Sequence, residues 1–216
     1  MSDDVAALIE QGIAELDLAL PQGSIERLSR FVELLKKWNR GQNLTAITEP
    51  HAMVARHVLD SLAGTPWVTG TEVLDVGSGA GLPGIPLAIT DPSRHLVLLD
   101  SRGKRIQFLL HARQVLELEN VDVVQVRFEK YQPQLEFDTL AARAFAALPA
   151  LLRSAAPFIA AGARLVAWQR NDPSAELQEV LAGRPLRHQV HAVAVPGIAE
   201  ARHIAVVERS GARPSE

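Results

Sequence analysis

The apolar positions change their period about a third of the way along the chain. In the first part they recur at helical spacing: Leu28, Phe31, Leu35 and Trp38 fall on one face of a helix. This pattern predicts helices over residues 3–18, 24–39 and 53–62. Ser24 is placed to cap the second, with Glu26 in its first turn. The turn at residues 39–43 ends that helix, and Gly64 and Pro66 stop the third. From Glu72 onward, short apolar runs alternate with helical stretches. Strands are predicted over 72–76, 95–99, 121–126, 137–141, 163–169, 187–194 and 202–208, and helices over 84–90, 103–118, 148–159 and 174–182. Such alternation implies a mostly parallel sheet with helices on both faces. The last two runs have only Pro196-Gly197-Ile198 between them, so they read as an antiparallel pair at the sheet edge. The expected organisation is an N-terminal helical cap (1–66), an α/β domain (67–209) and a flexible tail (210–216).

One segment of the α/β part carries chemistry. Val73, Leu74 and Val76 form a strand that runs into Gly77, Gly79 and Gly81, which alternate with small residues. Leu82-Pro83-Gly84-Ile85-Pro86 then opens a helix, where prolines suit the free N–H groups of the first turn. The next apolar run, Leu96 to Leu99, ends in Asp100, about 20 residues beyond the turn, the interval of a carboxylate that grips ribose hydroxyls in a βαβ site. A turn without side chains lets an adenosine cofactor lie against the backbone. The third glycine of a dinucleotide fingerprint would fall on Leu82, which disfavours a dehydrogenase, and no phosphate loop is present. The spacing Asp75-x-Gly77-x-Gly79-x-Gly81 resembles motif I of class I S-adenosylmethionine-dependent methyltransferases, whose cofactor has no phosphate. Asp100 has two readings, ribose ligand or helix N-cap. Phe128 and Glu129 follow the third strand, where enzymes of that class read the adenine, and Phe128 also suits the core.

Composition narrows the setting. At 216 residues, with 47% hydrophobic and 22% charged residues, the chain is one large domain or a domain with an appended subdomain. It has no cysteine, which excludes disulfides, thiolate metal sites and a cysteine nucleophile. Met1 to Leu8 lacks the basic and apolar regions of a signal peptide, and no apolar run is long enough to span a membrane, so a cytoplasmic location is expected. The net charge of −3 argues against a generic polyanion binder without excluding a local basic site. Lysine occurs only at 36, 37, 104 and 130, so arginine, the better bidentate ligand of phosphate and guanine, supplies most of the positive charge. His57 and Asp60 lie three apart on one helical face, with no third ligand to make a metal site. A hydrogen-bonded pair bracing the cap is the expectation, with RNA contact by His57 the alternative.

Several segments together resemble one family. They are Asn43-Leu44-Thr45, Arg56-His57-x-x-Asp60-Ser61, the run from Gly77 to Pro86, Leu98-Leu99-Asp100-Ser101, Arg127-x-Glu129, Ala142-Arg143-Ala144-Phe145 and Arg202-His203. The chain is similar from about Trp38 to Val207 to the glucose-inhibited division protein B family, the bacterial guanine-N7 methyltransferases of small-subunit ribosomal RNA. The resemblance implies a Rossmann-like class I methyltransferase fold with a seven-stranded sheet and an N-terminal helical cap. It implies transfer of a methyl group from S-adenosyl-L-methionine to N7 of one guanine, nucleotide 527, in 16S ribosomal RNA or the small ribosomal subunit. A class I methyltransferase acting on a small molecule and a non-catalytic nucleotide-binding module are the competing readings. The expected cofactor residues are Gly77, Gly79, Gly81, Leu82, Asp100, Phe128, Glu129 and Arg143. Arg143 and Arg127 are expected to align the substrate, and Arg127, Arg170, Arg202 and His57 to contact RNA. A general base, a metal and a membrane are not expected, and the protein is expected to act as a monomer. One departure stands out: where the family carries a Lys-Gly pair after the fifth strand, this chain reads Trp168-Gln169-Arg170.

Overall fold

A computed structural model describes residues 2–143 and 147–211, and the tail beyond Gly211 lies outside it. The helical part comprises α1 (Ser2–Glu15), α2 (Ser24–Gln42), α3 (Pro50–Met53), a π-helical stretch (Val54–Leu59) and α4 (Asp60–Leu62). The α/β part runs β1 (Glu72–Val76), α5 (Gly84–Thr90), β2 (His95–Asp100), α6 (Gly103–Val115), β3 (Val121–Gln125), β4 (Thr139–Arg143), α7 (Leu148–Ala161), β5 (Arg164–Gln169), α8 (Ser174–Leu181), β6 (Leu186–Val193) and β7 (Arg202–Arg209). The seven strands lie in the order β3-β2-β1-β4-β5-β7-β6. Strands β1 to β5 are parallel, and β7 is antiparallel to both β5 and β6. The antiparallel pair expected at the edge is there, with β7 threaded between β5 and β6.

Side-chain alternation along the strands builds two apolar layers. Leu74, Val76, Leu140, Leu165 and Ala205 face α7 and α8. Val73, Leu96, Leu98, Ala141, Val166 and Trp168 face the other way, into a layer shared with α5, α6 and the helical cap. Ile9 and Ile13 of α1 and Leu28, Phe31 and Leu35 of α2 belong to that same layer, so the cap and one sheet face share a core. The stripe on α2 reaches α6, where Trp38 packs edge-on against Phe108 at 5.6 Å.

Several local expectations are corrected. Ser24 does not cap α2: Gly23, in the left-handed region, takes that position, and the Ser24 hydroxyl donates to the Ile89 carbonyl at the end of α5. Helix α2 continues to Gln42, because Asn39 faces inward and its side-chain oxygen accepts the Thr45 N–H at 2.8 Å. The third helix starts at Pro50, three residues early, capped by the Glu49 carboxylate on the Ala52 N–H. Strand β4 is displaced two residues towards the C-terminus, since Asp138 instead receives the N–H groups of Thr71 and Glu72 on its carboxylate. That shift makes Arg143 the last residue of the strand.

Candidate active site

Strand order reverses between β1 and β4, and open α/β sheets bind ligands outside the carboxyl ends of the strands at such a point. Two clefts open there. The first, about 270 Å³, follows β1 to β3 and is lined by Gly77, Asp100, Ser101, Arg102, Arg105, Arg127, Phe128 and Glu129. The second, about 370 Å³, follows β4 and β5 and meets the cap at Arg56, His57 and Asp60.

In the first cleft the glycine turn sits beside Asp100. Gly79 has φ +58, and a Cβ there would sit in ordinary contact with the Arg105 guanidinium at 3.7 Å, so its need for glycine is conformational. Gly81 differs: a Cβ would collide with Ile85, so this glycine serves packing. Leu82 is 5% exposed within the core. Gly81 and Leu82, both expected among the cofactor residues, are buried behind the turn. The Asp100 carboxylate is 3% exposed and accepts the Gly79 N–H at 3.0 Å, the Arg102 N–H at 2.9 Å and Arg105 Nη1 at 3.1 Å. It thus pins the turn to the end of β2, and the N-cap position of α6 is Arg102. Phe128 lines the cleft and is also buried and stacked on Phe158 at 5.4 Å. Arg127 and Glu129 are exposed at the rim.

Beneath this turn lies a residue that sequence reasoning passed over. Asp75 is wholly buried, its Oδ2 accepts the Gly84 N–H at 3.0 Å, and its Oδ1 has no hydrogen-bond partner. Burial pushes its carboxyl up to about 7. The Asp-x-Gly pattern at 75–77 was the available signal.

The second cleft holds Arg56, Arg143, Arg170 and Arg202. Arg143 is not free to meet a ligand with all its donors. Its Nη1 donates to Asp60 Oδ2 at 2.6 Å and to the Arg56 carbonyl at 2.9 Å, and its Nη2 lies 3.2 Å from His57 Nδ1. Arg202, at the start of β7, reaches the other oxygen of Asp60 at 3.4 Å. Trp168 Nε1 donates to the Asp60 backbone carbonyl at 3.0 Å. The expected His57–Asp60 brace is corrected accordingly: each is tied to Arg143, which joins the cap to the sheet. His57 Nδ1 lies 3.2 Å from Arg143 Nη2 and 3.0 Å from the Arg56 carbonyl, and its Nε2 faces Thr45 Oγ1 at 2.9 Å. Burial, then the neighbouring Arg143 charge, pushes the imidazole down to about 4, so His57 is neutral near pH 7. It is 5% exposed, lines the second cleft and links the cap to β4.

Arg170 is exposed on the same cleft, and β5 ends at Gln169, so the chain bends where Arg170 begins. Arg127 stands apart in the first cleft. The structure therefore divides the expected arginine set, with Arg143, Arg170 and Arg202 together and Arg127 with the cofactor-side residues. Ala144 and Phe145 of the sequence segment lie outside the described residues. Among the described residues no group of three or more His, Asp or Glu side chains is arranged to hold a metal, and no helix is long and apolar enough to cross a membrane.

Comparison with known proteins agrees with this geometry. A SAM-dependent methyltransferase from Aquifex aeolicus superposes with a TM-score of 0.56 at 16% identity, covering 80% of this chain and 97% of that one. The precorrin-6y C5,15-methyltransferase of Geobacter metallireducens gives 0.53 at 13%, over 79% and 92%. These likenesses establish the fold, a Rossmann-like methyltransferase sheet. In sequence, the ribosomal RNA small subunit methyltransferase G of Methylococcus capsulatus is 43% identical over 204 residues, 94% of this chain and 98% of that protein. That of Legionella pneumophila is 41% identical over 198 residues, 90% of each. The model of one family matches residues 24–205, from the start of α2 into β7, and the chain belongs to that family, GidB, the rRNA small subunit methyltransferase G proteins.

Proposed function

We propose that this protein transfers a methyl group from S-adenosylmethionine to N7 of a single guanine in 16S ribosomal RNA, acting as a cytoplasmic monomer on RNA or the small subunit. The observation that carries this reading is the juxtaposition, at the reversal of strand order, of a glycine-and-carboxylate cleft with a cleft whose charged lining is four arginines and one aspartate. In this reading the α/β domain (67–209) binds the cofactor, and the cap (1–66) closes the RNA side.

The residues present fit the cofactor. Gly77 lines the cleft beside Asp100 without a side chain. Asp100 Oδ1 accepts one protein N–H, from Arg102, which leaves it lone-pair capacity for a ribose hydroxyl. Phe128 and Glu129 supply an apolar wall and an exposed carboxylate for an adenine. When bound, S-adenosylmethionine supplies a methyl group activated by its sulfonium. Guanine N7 carries an in-plane lone pair in the neutral base, so no proton leaves before attack and a general base is unnecessary. His57, buried and already engaged through both nitrogens, is not asked to be one. The chain's contribution is alignment and exclusion of water. Arg143 aims the base from the end of β4, Arg127 holds RNA from the cofactor side, and Arg170 at the β5 bend supplies the cation that the family's lysine gives elsewhere.

Mass spectrometry of ribosomal RNA from cells with and without this gene tests the proposal. Loss of one N7-methylguanosine, restored by the gene, is the expected result. An unchanged nucleoside profile overturns it.

A further inference from the structure

The cleft after β4 and β5 contains Arg56, Arg143, Arg170 and Arg202 but a single acidic side chain, Asp60. Its position is unusual in three ways. It is 8% exposed, although it carries a charge. Its carboxylate lies between two guanidinium groups, Arg143 at 2.6 Å on Oδ2 and Arg202 at 3.4 Å on Oδ1. Its backbone carbonyl is held independently by Trp168 Nε1, so its place does not depend on those arginines. The geometry of the Arg202 contact is loose: Asp60 Oδ1 and Arg202 Nη1 are both buried without a hydrogen-bond partner. The constellation therefore holds two guanidinium charges against one carboxylate, with one oxygen only partly engaged.

We infer that Asp60 is a positioning residue for methyl transfer, setting the aim of Arg143 and Arg202 from the cap. The inference rests on the proposed function. An arginine has several rotatable bonds, and an unanchored one samples many directions. Asp60 anchors Arg143 by a hydrogen-bonded ion pair and draws Arg202 by charge, on different strands, from one point reached through a third element, α4. The cost is that one unit of positive charge is cancelled inside a cleft meant for a polyanion. Removing the carboxylate should then have two opposite effects. RNA binding gains about one unit of uncompensated charge and becomes more salt-dependent. Transfer slows, because displacing an aligning group by about 1 Å costs up to about a hundredfold in rate. A residue that only props up the fold would weaken binding and transfer together.

The test compares Asp60→Asn with the wild-type full chain, using a 16S RNA fragment or small subunits lacking the modification. Production of N7-methylguanosine by the wild type is the control, and its absence would condemn the proposed function and not this inference. The expected result for Asp60→Asn is a kcat lower by at least about tenfold. S-adenosylmethionine affinity should stay within about twofold, and the log–log salt slope of RNA binding should steepen by about one. An unchanged kcat, or a fall in kcat accompanied by weaker RNA binding and a flattened slope, overturns it. If Asp60→Asn does not fold, Asp60→Glu decides: it keeps the charge on a longer stem, so a wild-type slope with reduced kcat supports the inference, and wild-type kcat overturns it.

Discussion

On the β1–β3 side of the sheet's carboxyl edge, the glycine turn and the Asp100 carboxylate, fixed by N–H groups of Gly79 and Arg102, are joined by Arg105, Arg127, Phe128 and Glu129 from the neighbouring turns. On the β4–β5–β7 side it is guanidinium groups, and the residue that holds Arg143 lies 83 positions away in the cap. The first surface is assembled by one continuous βαβ unit. The second does not exist until the cap has docked. A site of the first kind is preorganised by local backbone, whereas one of the second kind depends on buried charges whose partners arrive from elsewhere. The difference fits the two ligands assigned to them: a small cofactor needs close backbone approach, and a polyanion needs directed positive charge.

Cutting the joint tests that contrast most severely. Arg143→Ala leaves Asp60 buried with only the looser Arg202 contact, and stranding a buried charge costs about 3–5 kcal/mol. We expect a loss of that order in urea denaturation together with loss of methyl transfer. Wild-type stability would mean that the cap is held by its apolar contacts alone.

Acid should loosen the same joint by a smaller amount. The His57 imidazole lies at about 4 in the native protein against 6.5 ordinarily, so between these values the unfolded chain binds a proton that the native chain refuses. Stability from this group is therefore present above pH 6.5 and lost as pH falls towards 4, by about 3 kcal/mol. Urea midpoints across that window should drop for the wild type and drop less for His57→Gln. Equal slopes would show that His57 does not report on the joint.

The smallest effect concerns the bend after β5. Arg170→Ala should lower RNA affinity and flatten its log–log salt slope by about one, the value of one phosphate contact. Gln169→Ala, lacking a charge to lose, should do less harm. If Arg170→Ala leaves affinity and slope untouched while Gln169→Ala abolishes transfer, the amide has the role and the cation does not.

The contrast also explains what could be read from the sequence. The order of strands and helices, the antiparallel pair and the glycine turn with Asp100 were legible, because each is written in a period or a short motif. The packing of the motif was not legible, since spacing marks a segment and not its neighbours; Gly81 lies against Ile85. Asp75 was legible as the first residue of the glycine motif but not as a buried acid, because burial on a strand gives no signal of its own. Arg143, His57, Asp60 and Arg202 were all picked out as residues, but not their mutual arrangement. Their contacts cross from the cap to β4 and β7, and spacing along a chain carries no information about which buried charges will meet.

The division of labour is tested most directly by crossing two variants with two ligands. Gly79→Val forces a β-branched residue into φ +58 on the cofactor side, and Arg170→Ala removes an exposed charge on the other. Calorimetric titration with S-adenosylmethionine and with the 16S fragment should show each variant impaired for one ligand. Gly79→Val should lose at least about tenfold in cofactor affinity while RNA affinity stays near wild type, and Arg170→Ala should do the reverse. Parallel losses for both ligands in either folded variant would contradict the separation of the two clefts.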